Sequence, residues 1–460
     1  MSFCRKSVRP HAGVAMIVAM IFVVIFSVLG VCIATMSGDN VQIASNHRNL
    51  NAALAAAQSG QEIARYWLSR VLISSSTPIN QYLSEVITAV QTDLTDNGVT
   101  GLPLAPDGSI ATVTLDATTG RSFDGQLLVD ANTPTILQVR VTGYSGQASR
   151  TIITSYNFQP YEFPIFNYGL ATKGPLDFPG NPTVTAVNEA WEADMFVESS
   201  NSNIAIQVGG NTNFDGDITI GNSSANVDFV GDVQIAGDLG QTAIDNHVSI
   251  GADSPEFPTP DTDHFVQYAT GPVVDSSTDL SKGITLTNAT IAAGTNPVFK
   301  GTATIQGVLF VESPNVITFE QNVALKGLIV GDGDLDNVDT SVNRIDIQGN
   351  FQSQGYPAGS DFDAIRQEEG SSIVAPGFAA TFGGNFSALE GVVAISGADF
   401  TGNMSAVIKG TIINYSDTST VVLGNSSMNF DRAAGVKIPA GFDLYRELDY
   451  EPSLYCEAGM

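Results

Sequence analysis

With 460 residues, a formal net charge of −28 and 19 Lys and Arg against 47 Asp and Glu, the chain lacks the clustered cations that nucleic acid or an anionic membrane surface would need. The length allows two or three domains with a large buried core, and 45 Gly with 14% charged residues point away from helical bundles and toward β architecture. Three cysteines, Cys4, Cys32 and Cys456, exclude a disulfide scaffold and a four-cysteine zinc site.

The chain opens with a basic leader, residues 1–13, holding Arg5, Lys6 and Arg9. A Gly13-Val14 junction follows, then an uncharged apolar run from Val14 to Met36. Such a run predicts a helix of roughly 35 Å, enough to cross a bilayer core of about 30 Å. Basic residues precede it and none follows before Arg48, which puts the N-terminus in the cytoplasm. The expectation is a single pass through the inner membrane, with everything beyond residue 37 in the periplasm or at the cell surface. A secretory signal would have a shorter apolar core and a small-x-small cleavage site. Met36 and Val31 occupy the positions where cleavage or lipoprotein sites need small residues. A plain single-span anchor stays open.

The helical pattern continues past the membrane. Leu50, Leu54, Ala57, Gln61, Ala64, Leu68 and Val71 step by four and three, one packing face with Gln61 as its polar exception. No Pro interrupts residues 11–77, so the helix is predicted to run to about residue 73, a rod of roughly 90 Å. Half of it would lie in lipid and half against a partner or the protein's own head.

The stretches His11-Ala12-Gly13-Val14-Ala15-Met16-Ile17-Val18 and Leu50-Asn51-Ala52-Ala53-Leu54-Ala55-Ala56-Ala57-Gln58-Ser59-Gly60, with the apolar run between them, resemble the N-terminus of type IV pilus assembly proteins of the PilX type. They are also similar to the large minor pseudopilin of type II secretion systems. The resemblance covers residues 8–75 and, more loosely, extends to about 158. It implies a class III signal peptide cut by a prepilin peptidase after Gly13, with Val14 as the mature first residue. It also implies other pilin or pseudopilin subunits as partners. Major pilins carry Glu at the fifth mature position, here Val18. Its absence resembles a tip or initiating subunit, or an anchor that is no longer a pilin.

Residues 74–160 read as a pilin-like head. A loop, a short helix and a loop precede four strand candidates at 111–116, 126–129, 136–144 and 149–158. Val139 and Val141 alternate with Ile152 and Thr154 in the manner of an antiparallel hairpin. Gln159 to Pro164 reads as a linker.

Beyond it the sequence repeats. Thr304-Ile305-Gln306-Gly307-Val308-Leu309-Phe310, Ala324-Leu325-Lys326-Gly327-Leu328-Ile329-Val330, Ala388-Leu389-Glu390-Gly391-Val392-Val393-Ala394 and Val407-Ile408-Lys409-Gly410-Thr411-Ile412-Ile413 echo one another at spacings of 20, 64 and 19. These read as one, three and one turns of about 20 residues. Gly-Asn corners recur at 349, 384, 402 and 424, and Gly-Asp corners at 216, 231 and 237. The predicted fold is therefore mainly β with a long N-terminal α-helix: a pilin-like helix and small antiparallel sheet, then a β-solenoid over residues 161–435. Apolar strands stack from coil to coil, Gly turns the corners and Asn forms ladders. Segments 252–282 and 352–378 break the rhythm and are expected to project as loops. Residues 436–460 are expected to cap the stack or run along its side.

No nucleophile elbow, H-E-x-x-H or P-loop motif is present. Asp346 beside Arg344, and Asp361 with Asp363 near Arg366, are the carboxylate–cation groups that a polysaccharide-cleaving site would use. A solvated strand face and a loop explain them more simply, so no catalytic residue is assigned. His264 reads as a loop residue. Asp332, Asp334, Asp336 and Asp339 alternate as in the first half of a calcium loop. Asn337 and Asn343 stand where that loop needs Gly and Glu. An acidic solvated loop and a structural calcium both remain, and no other cofactor is expected. The functional expectation is a minor pilin-like, non-enzymatic subunit displaying a solenoid as spacer, tip or adhesive surface, with a surface polysaccharide as a candidate ligand. The alternative is a membrane-anchored solenoid enzyme or binding protein acting on polysaccharide.

Overall fold

A computed structural model of the chain describes residues 12–100, 104–129, 133–401, 405–423, 426–432 and 438–458. It divides into two compact units. Met1–Gln159 and Tyr445–Met460 form one, Pro160–Leu444 the other.

The first unit is built on α1, Ala12–Leu68. The predicted helix stops about five residues early. Val71 and Ile73 are buried in the head core, and Leu72–Ser74 extends as strand β1. The β-branched residues there serve a pleated surface better than a helix. A second helix, α2 (Tyr82–Asp96), buries Tyr82, Val86, Ile87, Val90 and Leu94, an i, i+4 pattern with one face inward. Strands β2 (Ser109–Asp116), β3 (Arg121–Val129), β4 (Ile136–Ser145) and β5 (Ala148–Pro160) follow. Val139 lies opposite Thr154 and Val141 opposite Ile152, the pairing expected from their alternation. The C-terminal strand, Tyr445–Ala458, does not cap the solenoid as expected. It enters the head sheet between β1 and β5, giving the order β1, C-terminal strand, β5, β4, β3, β2. Its alternating Tyr450, Leu454 and Cys456 have a strand's period of two, and Leu448 is buried in the head core.

Helix α1 crosses the sheet on small residues. Ala53, Ala56 and Ala57 are buried, and a Cβ at Gly143 of β4 would clash with the backbone of Ala53 and Ala57. A Cβ at Gly60 would stand 2.7 Å from the rings and methyls of Phe123 and Val141. Close approach of helix and sheet therefore depends on glycine from both sides.

The second unit is a parallel β-solenoid with three faces per coil. The repeats stack as their sequence implies: Gln306 lies opposite Lys326 and Gly307 opposite Gly327, and Glu390 lies opposite Lys409. Between Lys326 and Glu390 there are two turns, not three. Ala324 is opposite Gln352, and Gln352 is opposite Ala388, with the extra residues spent in a long insertion. That insertion is shorter than expected, since Phe351–Gln354 and Ser371–Ala375 are both strands of the stack. Asn ladders run along the corners. Asn350 N–H donates to Asn322 Oδ1 at 3.3 Å and Asn385 N–H to Asn350 Oδ1 at 3.2 Å, so each side chain satisfies the backbone of the next coil. The corners at 402 and 424 lie outside the described residues. Asp238-Leu239 is no corner, because it turns back antiparallel onto Gln234-Ile235.

The chain does not climb this stack from one end to the other. Ser427–Phe430 pairs in parallel with Thr183–Ala186, and Ile412–Asn414 with Leu170–Thr172. Residues 427–430 and 170–178 thus complete a single coil inside the stack, from segments about 250 positions apart in sequence. From there the chain runs outward to Val248–Ile250, which pairs with Ile218–Ile220. Segment 252–282 then returns along the side as a strap rather than projecting. Pro258 accepts from Tyr415 Oη at 2.6 Å, His264 meets Glu368 at 3.0 Å, and Gly271 N–H donates to Asn288 at 2.6 Å. The core is one continuous apolar column, from Val233 and Ile235 through Phe430 and Phe400 to Phe299.

Candidate functional site

The N-terminal helix carries the first candidate site. Residues 1–11 lie outside the described set. Gly13 and Val14 are described only as backbone, in the first turn of α1. From Met16 to Ile43 the large apolar side chains are exposed, Val18 at 44% and Met36 at 65%, and the helix is long and apolar enough to cross a membrane. That apolar surface is wide enough to be covered by lipid. On the lower half, the packing face is rotated from the expected one. Ala57, Ala64, Leu68 and Val71 are buried as expected, but Leu50 and Leu54 are only half-buried. Ala53, Gly60 and Trp67 complete the face instead. Hydrophobicity ranks Leu above Ala and Gly, but close approach of helix and sheet selects small side chains. The partner of this face is β4 and β3 of the protein's own head.

The polar exception has a partner at each of its polar atoms. Gln61 Nε2 donates to the Val139 and Ile152 carbonyls at 3.0 and 3.1 Å, and its Oε1 accepts from the Thr154 hydroxyl at 2.8 Å.

The four aspartates of the acidic loop do not converge. Asp332 Oδ1 accepts from Ser313 N–H. Asp334 accepts from Asn337 Nδ2 at 2.9 Å and from Asp336 N–H at 2.8 Å. Asp339 accepts from the hydroxyl and N–H of Ser341. The Asn337 amide holds the Asp334 carboxyl below its usual range, and the Ser341 hydroxyl does the same for Asp339. Among the described residues, no three His, Cys, Asp or Glu side chains are grouped to hold a metal ion.

The two carboxylate–cation groups are separate. Arg344 Nε lies 2.8 and 2.9 Å from the oxygens of Asp346, on an outer face of the solenoid. Asp363 pairs with Arg366 in the insertion. His264, expected as a polar loop residue, ties the strap to Glu368, which also accepts from Tyr268 Oη at 3.3 Å.

The buried ionic cluster at the shared coil gave no signal in sequence. Arg432 is 4% exposed and donates to the carbonyls of Phe166, Asn167 and Glu192. Burial lowers its pKa to about 10. Glu192, fully buried, accepts from Asn188 N–H and Nδ2 at 3.1 and 3.2 Å. Burial raises Asp194 to about 6 despite the nearby Arg432.

Comparison with known proteins agrees with the helix. The PilX N-terminal family model matches residues 12–62, so this segment is pilin-like and a candidate membrane anchor. No curated protein matches the chain. Among solved structures, the chain is similar to the competence-associated pilin ComZ from Thermus thermophilus, at 14% identity over 89% of this chain and 97% of that one, with a TM-score of 0.23. At that score the likeness carries no argument.

Proposed function

We propose, from a PilX-type helix that is apolar and uncovered above and docked on its own sheet below, that the chain is a minor pilin-like subunit of a type IV pilus or a related secretion apparatus. Prepilin peptidase removes residues 1–13, leaving Val14 as the first residue of a helix that waits in the inner membrane and then joins other subunits. The single observation that carries this reading is the match of residues 12–62 to the PilX N-terminal family, on a continuous helix from Ala12 to Leu68. Val18 offers no carboxylate to a neighbour's terminal amine, which favours a tip or initiating position. The solenoid, inserted between Gln159 and Tyr445, serves as a displayed spacer or adhesive surface. Its role is binding rather than catalysis: Asp346 and Asp363 are each engaged by an arginine.

N-terminal sequencing of the chain from membrane and pilus fractions tests this. A start at Val14 is expected. Recovery of intact Met1 from both fractions overturns the assembly reading in favour of a plain anchor.

A further inference from the structure

One outer face of the solenoid bears a row of polar side chains with unused hydrogen-bonding capacity. Thr318, Asp346, Thr381 and Asp399 lie opposite one another on successive strands. Their chain neighbours Ile345, Ile347, Ala380, Phe382, Ala398 and Phe400 are buried in the core, so strand alternation fixes the row outward. Ala379 sits opposite Arg344, and its short side chain, with Gly383, leaves a concavity of about 630 Å³ over this row.

The groove's polar groups differ in how far they are satisfied. Arg344 and Asp346 engage each other. The Asp399 side chain makes no hydrogen bond or ion pair among the described residues, and burial shifts its pKa upward. The side chains of Thr381, Thr401 and Gln348, which also line the concavity, likewise have no partner there. Such a surface asks for a ligand that donates to a carboxylate and also accepts from hydroxyl and amide groups, at the regular strand spacing of about 4.8 Å. An apolar ligand would leave these groups unpaired. A polyanion would meet Asp346, Asp399 and a net charge of −28.

We infer that this face is a docking groove for an uncharged, hydroxyl-rich glycan chain laid along the stack axis across Asp346, Thr381 and Asp399. The inference rests on the reading that the solenoid is displayed outside the membrane.

The test uses the full chain in detergent micelles, with neutral gluco-, galacto- and manno-hexasaccharides and a hexagalacturonate as probes in calorimetry. At least one neutral hexasaccharide is expected to bind. Thr381→Arg, which fills the groove from an outward position, and Asp399→Leu should each weaken it on the order of tenfold without moving the thermal melt. Absence of binding to every neutral probe, binding by both variants as tight as by the unaltered chain, or preference for hexagalacturonate overturns the inference. None of these results alters the residue at which the processed chain begins, so the groove can fail while the subunit reading stands.

Discussion

The hydroxyl of Thr154 on β5 donates to Oε1 of Gln61 on α1 across 2.8 Å of otherwise apolar interface. With the two carbonyls that Gln61 Nε2 reaches, it uses most of the amide's capacity in a buried site. Gln61→Leu removes all three bonds and leaves the Thr154 hydroxyl without its acceptor in the interface, so a loss of about 2 kcal/mol is expected. Thr154→Val should cost less alone and almost nothing further in the Gln61→Leu background. A double-mutant cycle by chemical unfolding checks this, and strictly additive losses would contradict the coupling.

Gly143 and the helix backbone at Ala53 and Ala57 leave no room for a methyl group. Gly143→Ala is expected to force α1 off the sheet and to destabilise the head by about 1–3 kcal/mol. Hydrogen exchange of β3 and β4 amides reports it locally. Unchanged protection would mean that the helix shifts without penalty.

Arg432 closes the shared coil. Arg432→Met leaves the charges of Glu192 and Asp194 without their cation, and a loss of about 3–5 kcal/mol in solenoid stability is expected. Arg432→Met with Glu192→Gln and Asp194→Asn should recover much of it. No recovery in the triple variant would assign the loss to the Phe166, Asn167 and Glu192 carbonyls left without their donor and to packing against Trp191, over which the guanidinium sits at 5.6 Å.

Asp194 also gives the solenoid a pH dependence of unusual sign. Its folded pKa is raised from 3.8 to about 6, so the folded state binds more protons than the unfolded chain between those values. Stability from this group therefore falls as pH rises from about 4 to 6. The side chain is partly exposed, so solvent screening reduces the effect to about 1–2 kcal/mol. Asp194→Asn should remove this slope. An identical slope in wild type and variant would reject the assignment.

Asp334 and Asp339 each close their own turn rather than facing a common centre. Adding calcium and then chelator is expected to leave the melting temperature unchanged. A rise with calcium that chelator reverses would show that the loop rearranges around an ion.

Sequence alone determined the elements whose signal is local. The length and apolarity of Val14–Met36, the alternation that pairs Val139 with Thr154, and the Gly-centred repeats that place Gly307 on Gly327 depend only on side-chain period and backbone freedom. Tertiary structure decided what depends on pairing between distant segments. Parallel strands carry no mark of which coil they will stack on, so nothing in residues 427–430 announces Thr183–Ala186 as their neighbour. Nor does Tyr445–Ala458 declare that it belongs to the head sheet. The helix face slipped for a related reason: Ala53 and Gly60 are buried because Gly143 and Phe123 approach them, a shape match that hydrophobicity cannot encode. The glycan groove likewise exists only once strands 343–347, 379–382 and 398–400 lie side by side, bringing Asp346, Thr381 and Asp399 into one row.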